Sequence, residues 1–128
     1  MLKVAILGSG SWGTALSQHL GNNGVAVSLW GRDKDFVDQI FLKRENSRYI
    51  PGVCLSENIT PTTELKEALE NASALVLALP SSSTRVVLDN LKSELGQKVF
   101  EIPIISTAKG LEKGSNARVS QIVEEVLS

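Results

Sequence analysis

The chain has 128 residues, 42% hydrophobic and 21% charged, with Pro at 4 positions; this core-forming composition fits one ordinary domain and excludes a disordered or collagen-like chain. Lys plus Arg number 13 against 14 Asp plus Glu, for a net charge of −1, so no general nucleic-acid footprint exists and any anionic ligand must be caught by local donors. Cys54 is the single cysteine, which excludes an internal disulfide and a Cys/His metal cluster, and no metal site is expected.

The opening Met1-Leu2-Lys3 and the apolar run after it are too short for a signal-peptide core or a membrane span, so a cytoplasmic protein without membrane insertion is expected. Residues 4–7 form a continuous apolar run ending at Gly8, the mark of a central strand buried on both faces. Residues 13–20 carry Ala15, Leu16 and Leu20 at helical spacing, and Gly21-Asn22-Asn23-Gly24 stops that helix. A second strand is predicted over residues 25–30, followed by Asp33 as N-cap of a helix whose apolar positions are Phe36, Val37, Ile40 and Phe41. Between Arg44 and Thr62 the pattern lapses into a loop with one short strand around Ile59. Thr63 is the expected cap of a short helix with Leu65, Ala68 and Leu69 on one face, ahead of a buried strand over residues 74–79 that ends at Pro80. A helix with Val87, Leu88, Leu91 and Leu95, a strand over residues 102–106, and a last helix carrying Val119, Ile122, Val123, Val126 and Leu127 complete the reading. Alternating βα units require a doubly wound α/β fold on a mostly parallel sheet. The last stripe runs almost to the end with no glycine stop, so the chain is expected to be the first domain, residues 1–128, of a longer polypeptide; left uncovered, the stripe also offers a surface for a homodimer.

Gly8-Ser9-Gly10-Ser11-Trp12-Gly13 is a GxGxxG placed directly after the first buried strand and at the start of a helix, the context in which this motif carries weight. Gly8 suits the tight turn, Gly10 the close approach of a pyrophosphate, and Gly13 the packing of helix on strand. The N–H groups of Ser11, Trp12 and Gly13 at the helix start supply donors for that diphosphate, and Trp12 is placed to cover a dinucleotide. At the end of the second strand Arg32 and Asp33 stand side by side: the arginine suits a ribose 2′-phosphate, whereas the aspartate suits a bare ribose or a helix cap. NADPH is therefore favoured, with NADH tolerated. Lys109 follows the carboxyl end of a predicted strand, where it can hold a substrate phosphate or bond near a nicotinamide. His19 falls two turns along the first helix and is given no role.

Read together, Gly8-Ser9-Gly10-Ser11-Trp12-Gly13-Thr14-Ala15-Leu16 and Leu29-Trp30-Gly31-Arg32-Asp33 resemble the NAD(P)-dependent sn-glycerol-3-phosphate dehydrogenases of the bacterial type. Arg44-Glu45-Asn46 with Tyr49-Ile50-Pro51-Gly52, Leu79-Pro80-Ser81 and Ala108-Lys109-Gly110-Leu111-Glu112 are similar to three further motifs of that family, in order, over essentially the whole chain. The resemblance implies a Rossmann domain and reversible reduction of dihydroxyacetone phosphate to sn-glycerol 3-phosphate by NADPH or NADH, for phospholipid synthesis. It implies dinucleotide contacts from Ser11, Trp12, Arg32 and Lys109, with Asp33 and Tyr49 as further candidates, and a substrate contact from Lys109. The proton donor of the family is a lysine in a helical second domain, so no catalytic residue is assigned in this chain, which is expected to bind cofactor without turnover. Two rivals stand beside this reading: another dehydrogenase pairing a Rossmann and a helical domain, acting on hydroxyacyl or sugar acids, and a non-catalytic NAD(P)-sensing module.

Overall fold

The computed structural model describes residues 2–96, 101–107 and 126. The apolar runs form strands β1 (Lys3–Leu7), β2 (Ala26–Trp30), β3 (Ile59–Thr62), β4 (Ala74–Leu77) and β5 (Ile104–Ser106). They make one sheet in the order β3-β2-β1-β4-β5, with every pair parallel. Helices α1 (Ser11–Asn22), α2 (Lys34–Lys43), α3 (Leu65–Leu69) and α4 (Ser81–Leu95) lie between the strands in the chain. The expected fold class holds, and β1 is the central strand.

Side chains alternate across a strand, and here the alternation divides the core. Ala5 and Leu7 of β1, with Trp30, Leu75 and Leu77, pack under α3 and α4 against Leu65, Ala68, Val87, Leu88 and Leu91. Val4 and Ile6, with Val27, Leu29 and Val76, pack under α1 and α2 against Leu16, Leu20 and Ile40. Register enforces this, since Ala5 faces Ser28 and Leu7 faces both Trp30 and Leu77 across the ladders.

Local chemistry sets the element ends. Helix α1 stops at Gly24, whose φ of +83° suits glycine. Gly24 N–H then donates to Gly21 and Val25 N–H to Leu20 at 3.1 Å, a Schellman closure that brings Val25 and Leu20 onto the same core face. Helix α2 starts at Asp33, whose carboxylate accepts from the Phe36 N–H at 3.3 Å, and ends at Arg44 with φ 55°. Lys34 donates to Asp38 at 2.7 Å, one turn on, an exposed pair that holds the lysine above its ordinary pKa mainly through that hydrogen bond.

Three expectations are corrected. Thr63 does not cap α3; Thr62 does the local work, its hydroxyl accepting from Glu64 N–H at 3.0 Å and donating to the Glu67 carboxylate at 2.9 Å. Phe41 is 55% exposed because α2 turns Val37 and Ile40, one turn apart, to the sheet. The short strand expected around Ile59 is present as β3, paired with β2 at the edge of the described sheet, where Pro61 is tolerated. The last two strands are shorter than expected: β4 ends at Leu77 and β5 begins at Ile104, for beyond Leu77 the chain turns beneath Gly8. Lys109 with its motif, and the terminal stripe apart from buried Val126, lie outside the described residues. Among the described residues no helix is long and apolar enough to cross a membrane.

Leu88 is fully buried between α4 and the sheet. Leu88→Ala is expected to lower unfolding free energy by about 2–5 kcal/mol and Phe41→Ala by less than about 0.5 kcal/mol, measured by urea denaturation.

Candidate functional site

Sheet order reverses between β1 and β4, the place where open parallel sheets leave a crevice beyond their carboxyl ends. The ladders run past the strands there: Gly8 N–H donates to Trp30 at 2.9 Å, Ala78 N–H to Leu7 at 2.8 Å and Thr107 N–H to Leu77 at 3.0 Å. Three chain turns are thereby fixed side by side at one end of the sheet.

The glycine turn fits between them by close backbone contact. Gly8 has φ +124°, and a Cβ on it would overlap the Ala78 carbonyl, whose carbon would lie 2.7 Å away. A Cβ on Gly13 would overlap the carbonyl of Gly8, with the carbonyl carbon at 3.0 Å. Gly10 differs, because a Cβ there meets nothing within 4 Å. Its missing side chain serves open space rather than the fold.

That space is a cleft of about 780 Å³ lined by the glycine turn, Trp12, Arg32, Asp33, Tyr49 and the residues after β4, a size suited to a small-molecule ligand. Thr14 N–H, bonded to Gly10 at 3.0 Å, is the first of α1 to bond back along the chain, so the N–H groups of Ser11, Trp12 and Gly13 have no intrahelical acceptor. Helix α1 carries no side-chain cap and no acid in its first turn, and the same holds for α4, which starts at Pro80 on the other wall. Two bare positive helix ends facing one cleft favour an anion between them.

The third wall comes from residues 44–58. The Arg44 guanidinium donates to the carbonyls of Ser56 and, at 3.0 Å, Ile59. Gln18 of α1 donates to Cys54 at 3.0 Å and accepts from Ser56 N–H at 2.7 Å. Fully buried Asn46 locks the wall to the glycine turn: its amide donates to the Ser9 carbonyl at 2.9 Å and the Thr14 hydroxyl at 2.8 Å, and its oxygen accepts from Tyr49 N–H at 3.2 Å. Tyr49 then meets Phe36 edge to face at 5.9 Å, and Arg48 stacks on that ring with its guanidinium carbon 4.4 Å from the centroid.

These features have counterparts in known proteins. The family described as NAD-dependent glycerol-3-phosphate dehydrogenase N-terminus matches residues 3–128. The chain belongs to this family. It is 46% identical over 127 residues to a glycerol-3-phosphate dehydrogenase [NAD(P)+] of Syntrophomonas wolfei, covering 99% of this chain and 36% of the relative. An enzyme of the same name from Clostridium perfringens is 44% identical, covering 99% of this chain and 38% of its own length. A crystal structure of glycerol-3-phosphate dehydrogenase from Coxiella burnetii superposes with TM-score 0.89 at 33% identity, covering 98% of this chain and 38% of that one. The chain therefore spans 36–38% of the length of these relatives.

Of the residues singled out in the sequence, Gly8, Gly10, Ser11, Trp12, Arg32, Asp33 and Tyr49 line the cleft of this family member. Trp12 is 58% exposed, as a covering group would be rather than a core aromatic. Gly13 is buried and stands behind the cleft, so its side-chain position serves packing. Asp33 spends one carboxylate oxygen on capping α2. Lys109 lies outside the described residues. Sequence reasoning missed Phe36, Asn46 and Arg48; Phe36 reads as one more apolar helix position, and the other two sit in a loop without periodicity.

The glycine contacts make separable expectations. Gly13→Ala should cost about 1–3 kcal/mol or more by overpacking, whereas Gly10→Ala should leave stability within about 1 kcal/mol, as thermal unfolding of both variants will read.

Proposed function

We infer that the cleft binds NAD(P)H and that the chain is the cofactor-binding part of a longer cytoplasmic dehydrogenase. That enzyme reversibly reduces dihydroxyacetone phosphate to sn-glycerol 3-phosphate and so supplies phospholipid synthesis. The observation that carries the reading is Gly10, whose side-chain position is empty for 4 Å on a turn that faces the cleft in front of a bare helix end. A pyrophosphate needs that combination of space and donors, and family membership supports it.

In this reading Gly8 and Gly13 hold the turn, while the N–H groups of Ser11 and Trp12 take the pyrophosphate across Gly10. The Trp12 indole covers the dinucleotide, and Tyr49 closes the wall opposite. Arg32 forks onto the 2′-phosphate, which favours NADPH over NADH, and Asp33 borders the ribose while capping α2. Lys109 contacts both the dinucleotide and the substrate phosphate. The bound nicotinamide supplies the hydride for the carbonyl. The proton for the resulting alkoxide comes from outside these residues, from a lysine of a helical second domain, so the 128-residue chain binds without turning over. Among the rivals, the hydroxyacyl and sugar-acid dehydrogenases share the fold, but the family match favours the glycerol phosphate enzyme.

Calorimetric titration of the chain is expected to show binding of both cofactors, NADPH the tighter. Gly10→Ala should abolish both while the protein stays folded. Arg32→Ala should weaken NADPH by about 10- to 100-fold and leave NADH nearly unchanged. Binding by Gly10→Ala equal to wild type would overturn the placement of the pyrophosphate. Steady NADPH oxidation driven by dihydroxyacetone phosphate with this chain alone would overturn the two-domain reading.

A further inference from the structure

Arg48 is the one cation beside Arg32 among the described residues that line the cleft. Its guanidinium is stacked 4.4 Å from the centroid of Phe36, and Phe36 is braced edge-on by Tyr49 at 5.9 Å and 72°. Phe36 belongs to the first turn of α2, directly after Asp33, so the stack stands at the carboxyl end of β2 where Arg32 emerges. The backbone under it is fixed from below, because buried Asn46 holds the Tyr49 N–H and ties the wall to the Ser9 carbonyl. An exposed arginine on a loop ordinarily samples many rotamers, whereas one laid on a braced ring keeps its planar fork in one orientation with its N–H edge free.

The only carboxylate lining the described cleft is Asp33, and it accepts from the Phe36 N–H, the residue that carries the stack. An aspartate at the end of the second strand ordinarily selects a bare ribose by accepting from its 2′-OH. Here one of its oxygens is engaged in capping, and the two arginines Arg32 and Arg48 line the same cleft. The local charge balance suits an added phosphate.

We propose that Arg48 is a second specificity-determining residue: together with Arg32 it clamps the phosphate carried on the adenosine 2′-oxygen of the dinucleotide, with Phe36 holding its fork in place. The proposal rests on the dinucleotide reading above and goes beyond it by assigning phosphate selection to a residue pair. A phosphate has oxygens enough for two forks, and each charge-assisted contact in a partly desolvated cleft strengthens binding severalfold to a hundredfold.

The test measures dissociation constants of NADPH, NADH, 2′,5′-ADP and 5′-ADP with the full chain and with Arg48→Ala, Arg48→Gln and Phe36→Leu. Arg48→Ala and Arg48→Gln are expected to weaken NADPH and 2′,5′-ADP by about 10- to 100-fold and to change NADH and 5′-ADP by less than about twofold. Phe36→Leu, which keeps the charge but removes the platform, should lose part of the same selectivity. Equal weakening of the phosphorylated and unphosphorylated ligands would overturn the clamp, since it would mean that Arg48 stacks on the base. An unchanged NADPH-to-NADH ratio would overturn it as well, while leaving the dinucleotide reading intact. Failure of the unmutated chain to bind any of the four ligands would overturn both.

Discussion

At two successive places in this protein the backbone passes a carbonyl too closely for a Cβ to fit, and the rest of the site is arranged around them. Gly8 passes over the Ala78 carbonyl, and Gly13 passes over the carbonyl of Gly8. The contact fixes how far α1 sits from the sheet, and hence where its free N–H groups point. It also holds the chain after β4 beneath the turn, so that the start of α4 forms the opposite wall. The cleft is thus a by-product of backbone packing, and Gly10 alone in the motif is left free for whatever enters.

A net-negative chain has to build its anion affinity from directed groups. The helix ends supply partial charge without a counter-carboxylate in their first turns. Asp33, the only carboxylate lining the described cleft, accepts from the Phe36 N–H at the start of α2, and Arg32 and Arg48 line the same cleft. The polar network behind the wall is complete: among the described residues no buried side-chain nitrogen or oxygen lacks a partner. This completeness makes the wall stiff, since moving residues 44–52 would take the buried Asn46 amide from both its acceptors, the Ser9 carbonyl and the Thr14 hydroxyl.

The parts of the architecture carried by neighbouring residues were legible in the sequence. The alternating strands, the glycine turn, the α1 stop and the Asp33 cap all depend on chemistry within a few positions, and each stands where its pattern places it. What was illegible depends on contacts far apart in the chain. Asn46 bonds to Ser9 and Thr14, more than thirty positions away, and nothing local in Arg44-Glu45-Asn46 distinguishes that role from loop solvation. Arg48 acquires meaning only through the ring of Phe36, twelve positions earlier, once α2 has turned that ring to the cleft. Thr62 rather than Thr63 meets the start of α3 for a related reason, since the register of β3 against β2 decides which hydroxyl reaches the Glu64 N–H and the Glu67 carboxylate.

The proline in β3 has a consequence beyond local geometry. Amides of Val27 and Gly31 take the carbonyls of Asn58 and Thr62, so in the alternating parallel ladder position 61 turns its nitrogen away from the sheet. Pro61 offers no N–H there, and the outer row of β3 is short of a donor where a foreign strand would need one. The hydrogen-bonding rim on that side is blunted against strand addition, which protects a thin parallel sheet from growing edge to edge into aggregates.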